Sequence, residues 1–180
     1  MDQSSNPYQF YHSFRDRSTS LNRALYSVCG RWHELGVAAS YDDAVRFSHL
    51  VMFLSEIMAF EAFLGRCLRD QYGLSPKHIE EMNVEVKIRV LLPDAGRDAT
   101  LPERLKVVRW AFNLRNTWMH GCGDPELTVN RARARRGAEG RNVPTDVFEA
   151  AEWVDSDVWS KAAAALTGLA ESIATRFGWR

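Results

Sequence analysis

The chain has 180 residues, enough for one domain that buries roughly 70% of the surface its unfolded form would expose. Lys plus Arg and Asp plus Glu balance at 23 each, which excludes a global electrostatic bias toward nucleic acid, anionic membrane or acidic substrates. Any anion site must be local. Cys29, Cys67 and Cys122 are odd in number, widely spaced and without a CxxC pair, so a reducing, cytoplasmic location is expected rather than a disulfide framework.

In chain order, the opening MDQSSNPYQFYHSFRDRSTS has no apolar run of the kind a secretory signal needs, and residues 1–18 read as a polar N-terminal extension to a single helical domain over 19–180. The first helix is predicted from about Thr19 to Leu35, with Leu21, Leu25, Val28 and Trp32 on one side and Gly36 past its end. A second starts near Tyr41 and carries a broad apolar surface through Phe53, Ile57, Phe60, Phe63 and Leu68. It stops at QYG, where Gly73 suits a left-handed cap. This is the expected central helix. Its apolar stretch over 44–65 is interrupted by Arg46, His49, Glu56 and Glu61, so it reads as a buried helix and not a membrane span.

A third helix is predicted from Ser75 and Pro76 until Pro93, then a loop over PDAGRDAT. The fourth opens with a capping box, Thr100 and Glu103, and runs to His120, before GCGDP. Residues 126–146 contain a glycine turn and read as either a hairpin or a loop. A last helix follows from Ser156 as N-cap to Gly178. The fold class is all-α: a bundle of about five helices with one irregular insertion before the last.

The fourth helix is the informative one. At 100° per residue, Arg109, Asn113, Asn116 and His120 fall within about 60° of one another, a narrow polar stripe bordered by Lys106. Leu101, Leu105, Val108, Phe112 and Met119 form one apolar flank, Val107, Trp110, Leu114 and Trp118 the other. Arg115 lies about 120° from the stripe, but its side chain is long enough to reach around. Histidine in a last helical turn is favoured in its protonated form by the helix dipole, and so can give and take a proton near neutral pH. Arginine presents a planar fork matched to phosphate oxygens, and Asn116, one turn before His120, can orient the ring. Together these residue types suffice for metal-free RNA cleavage, and equally for phosphate binding alone.

RNTWMH at 115–120 resembles the R-x(4–6)-H motif of the HEPN superfamily, including the asparagine after the arginine and the glycine after the histidine. At the level of helix order the resemblance extends over residues 41–175; at the level of motif it covers six to eight residues. It implies an all-helical domain acting as a homodimeric, metal-independent endoribonuclease, used as a toxin or defence effector, with an antitoxin or regulatory protein as partner. The alternative it implies is a non-catalytic binding or assembly module. Arg115, Asn116 and His120 are the implied catalytic residues, with Glu56 or Glu61 as an acidic helper on the long helix. A tyrosine found two residues after the histidine in one subgroup is replaced here by Cys122.

Around this motif, Arg109 and Asn113 are candidate RNA contacts, as are Arg131, Arg133, Arg135 and Arg136 in NRARARR. That run suits a nucleic-acid backbone, yet Asp146, Glu149, Glu152, Asp155 and Asp157 follow it and could pair with it equally well. His120, Cys122 and Asp124 alternate, but a structural zinc site takes four ligands and no other histidine is spaced to join them, so neither metal nor other cofactor is expected. The tryptophans are expected in the core. A second copy of the chain is expected against the two apolar flanks of the fourth helix, which exceed what one small bundle covers, so that each His120 would approach Arg115 or Asn116 of its twin.

Overall fold

A computed structural model of the chain describes residues 6–34, 41–93, 100–119 and 153–179. Among them are six helices and no strand: α1 (Pro7–Glu34), α2 (Tyr41–Tyr72), α3 (Pro76–Glu81), α4 (Val84–Leu91), α5 (Leu101–Met119) and α6 (Ser156–Arg176). The all-α bundle expected from periodicity is the observed class. The expected insertion at 126–146 lies outside the described residues.

α2 is the axis of the molecule, because it is apolar on nearly every side. Phe53, Ile57, Phe60, Phe63, Leu64 and Leu68 are all fully buried, and α1, α3, α4, α5 and α6 each pack on it. α1 runs antiparallel to it, since Arg66 lies over the Phe10 ring, Tyr11 packs on Phe60 and Phe63, and Arg15 reaches back to Glu56. α6 runs parallel to α2, with His49 stacked near Trp159 and Tyr72 near Phe177. α5 lies antiparallel to both, with Trp118 on Phe53, Arg104 on Gly168 and Lys161 over Trp110.

Helix ends follow their local chemistry. Gly73 has φ 65° and donates its N–H to the Arg69 carbonyl at 2.9 Å, the single-bond left-handed cap. Gly178, at φ 69°, donates to Thr175 while the Trp179 N–H reaches the Ala174 carbonyl at 2.9 Å, the paired bonds of a Schellman motif. Three boundaries differ from expectation. α1 begins at Pro7, so most of the expected polar extension is helix; Tyr11 is fully buried in the core, and the aromatic residues among those charges outweigh their polarity. Conversely, Leu21, expected inside, is 66% exposed. The expected third helix is two, because the Asn83 side chain accepts from the Val86 N–H at 2.9 Å and restarts the chain as α4. And α6 is capped by Asp155, whose carboxylate accepts from the Val158 N–H at 2.9 Å, one residue before the expected Ser156.

Both flanks of α5 are covered within one chain. Leu101, Leu105, Val108 and Phe112 on one side and Trp110, Leu114 and Trp118 on the other are buried, the last group in an aromatic cluster with Trp153. These apolar residues, on which the expectation of a second copy rested, are thus buried within one chain, with Trp118 on Phe53 of α2 and Trp110 beside Lys161 of α6. No helix among the described residues is long and apolar enough to cross a membrane.

Candidate functional site at the end of α5

What α5 leaves uncovered is the polar stripe. Arg109 is exposed, and Asn113 and Asn116 are partly buried, in line along the helix. Arg115 starts from the neighbouring face, and its guanidinium lies over the Phe112 ring at 5.8 Å. From there Nη1 donates to Asn116 Oδ1 at 2.8 Å, and Nη2 donates to Glu61 Oε2 on α2. The long side chain thus closes the angle between its own position and the stripe, within a single helix. The pair is set in a shallow position: the Arg115 side chain is 21% exposed and that of Glu61 37%. Each terminal nitrogen of Arg115 carries a second N–H beyond these two bonds.

The two carboxylates of α2 are separated by this geometry. Five residues apart, they point about 140° from one another. Glu61 faces α5 and holds Arg115; Glu56 is 4% exposed, faces α1 and accepts from Arg15 Nε at 2.8 and 2.7 Å through its two oxygens. Glu56 is therefore a structural partner of α1, and of the two candidate helpers only Glu61 touches the motif. His120, together with Arg131, Arg133, Arg135 and Arg136, lies outside the described residues.

Arg109 is brought to a different partner. Its Nη2 is 2.5 Å from Glu85 Oε2 on α4, while Glu85 Oε1 accepts from Arg89 Nη2 at 2.8 Å and Nε at 3.2 Å. Hydrogen bonding from Arg89, with that of Arg109 added, outweighs partial burial and holds the Glu85 carboxyl below the usual range. Sequence reading passed over Glu85 and Arg89. Their four-residue spacing marks a helical ion pair, but nothing in the sequence joins that pair to Arg109, twenty residues beyond it. Cys67 is a free thiol that is fully buried, and burial pushes its ionisation far up. Among the described residues no three His, Cys, Asp or Glu side chains converge to hold a metal ion.

Compared with protein-family models, curated proteins and solved structures, the chain matches none of them.

Proposed function

We propose that this protein is a metal-independent endoribonuclease of HEPN type, acting as a toxin or defence effector. The observation that carries the reading is the Arg115 guanidinium, oriented by Asn116 and Glu61 and partly open to solvent near the end of α5. His120 follows Asn116 by one helical turn in the sequence. In the reaction His120 takes the 2′-hydroxyl proton, the 2′-oxygen attacks the adjacent phosphorus, and the 5′-oxygen leaves as a hydroxyl on taking a proton from water, giving a 2′,3′-cyclic phosphate. Arg115 stabilises the charge that gathers on the phosphate oxygens. The pairing expected across a twin is that of His120 with Arg115 or Asn116, and His120 lies outside the described residues. A homodimer or an antitoxin partner rests on the family resemblance.

A second reading, a non-catalytic binding module, is favoured by Glu61, whose carboxylate occupies one edge of the Arg115 fork and offsets its charge. One assay separates the two. Purified protein incubated with RNA in EDTA should yield products ending in cyclic or 3′-phosphate, and His120→Ala should lower the rate by about 10²-fold or more. Retained RNA or partner binding without cleavage would decide for the module, and cleavage restored only by a divalent ion would contradict the chemistry.

A further inference from the structure

Seven residues along α5 from Asn116, about 10 Å of helix axis, stand the guanidinium groups of Arg109 and Arg89 on one carboxylate. Two cations against one anion leave a net positive charge, and both arginines are more than half exposed, at 57% and 65% of their side chains. Exposed ion pairs contribute little to stability, so tethering α4 to α5 does not account for a second arginine here. Immediately beyond, toward the start of α5, Ile88, Leu92, Leu101, Pro102 and Leu105 line a cleft of about 440 Å³ with Arg89 on its wall. A cleft of this size, with apolar side chains beside a cation at its edge, fits a flat ring attached to a phosphate. A stacked nucleic-acid strand advances about 3.4 Å per phosphate, so about three phosphates separate Arg109 from Arg115.

We infer that the Arg89, Glu85 and Arg109 trio with the adjoining cleft forms a nucleotide subsite, which holds the phosphate and base of a single-stranded RNA about three nucleotides from the Arg115 phosphate site. The inference rests on the reading of Arg115 as a phosphate-binding group. Glu85 holds the two forks side by side, their unused N–H groups meet the phosphate, and Leu92 and Pro102 flank the base. A free mononucleotide presents the same phosphate and base, so the test includes both.

Binding is measured by fluorescence anisotropy with a labelled 2′-O-methyl uridine ten-mer, which lacks the attacking hydroxyl, a trimer of the same kind, and uridine 5′-monophosphate as competitor. Wild type should bind the ten-mer about tenfold or more tightly than the trimer. Arg89→Gln with Arg109→Gln should erase that difference and lower the salt slope by about one. The Lys pair should recover the slope. Pro102→Trp, at an exposed position on the mouth of the cleft, should weaken the ten-mer with the slope unchanged. Melting temperature checks that each variant is folded. Ten-mer binding that survives the Gln pair but is lost in Arg115→Ala would overturn the subsite and leave the Arg115 reading standing. Mononucleotide bound as tightly as the ten-mer would overturn the strand assignment. No binding of any probe by wild type would overturn both readings.

Discussion

Arg115 and Asn116, adjacent in sequence and 100° apart around α5, meet side chain to side chain at 2.8 Å. The contact turns the arginine out of the apolar flank and onto the polar stripe, and Glu61 fixes it from α2. If this fork stabilises a phosphate, Arg115→Lys should fail to replace it, because an ammonium keeps the charge and loses the planar pair of donors. Cleavage should fall by about 10²-fold with little change in melting temperature, measured as kcat on a defined RNA. Full activity in the lysine variant would assign the arginine a charge-only role.

Arg15 and Glu56 make a pair that differs in its carboxylate, 5% exposed where that of Glu61 is 37%, with the Tyr11 ring 5.6 Å from the Arg15 guanidinium. Removing the arginine leaves a buried carboxylate without its cation. Arg15→Ala should therefore destabilise by about 3 kcal/mol in urea unfolding, whereas Arg15→Met with Glu56→Leu should recover most of the loss. Equal stability of Arg15→Ala and wild type would mean that water reaches Glu56 freely.

Tyr11 supplies a pH dependence. Burial, assisted by the Glu56 charge, raises its ionisation well above the ordinary value. A tyrosine whose folded pKa is raised keeps its full contribution below the unfolded value of about 10 and loses it as pH climbs toward the folded value, since only the unfolded chain gains by ionising. Melting temperature should drop more between pH 9 and pH 11 in wild type than in Tyr11→Phe. Parallel drops would show the phenol to be solvated.

Gly168 sits inside α6, where alanine is worth up to about 1 kcal/mol more. An added Cβ would lie 2.9 Å from the Arg104 guanidinium carbon, and Arg104 Nη1 donates to the Gly168 carbonyl at 3.3 Å. In wild type the gain and the displaced arginine should cancel to within about 0.5 kcal/mol. In an Arg104→Ala background Gly168→Ala should stabilise by nearly the full propensity difference. Denaturant midpoints for the four-member cycle measure the coupling, and an additive result would remove Arg104 from the account.

The sequence by itself determined the class and most of the punctuation. α2 reads as central because its apolar residues leave no face free. Gly73 and Gly178 mark helix ends because a left-handed backbone suits glycine, and Ser75 with Pro76 marks a helix start because side-chain oxygen and fixed φ act locally. The polar stripe of α5 was legible for the same reason, since its residues share one helix and one period. Tertiary structure alone decided the partners. Glu56 and Glu61 look alike along the chain, and only the packing of α1 on one side and α5 on the other makes the first a buried tether and the second the holder of Arg115. Tyr11 reads as part of a polar segment until α1 lies antiparallel on Phe60 and Phe63. Local signals act over one or two turns of chain and are written in residue order; the pairing of Arg109 with Glu85, or of Arg115 with Glu61, depends on which helices the core brings together, and that is a property of the sum of all their apolar faces.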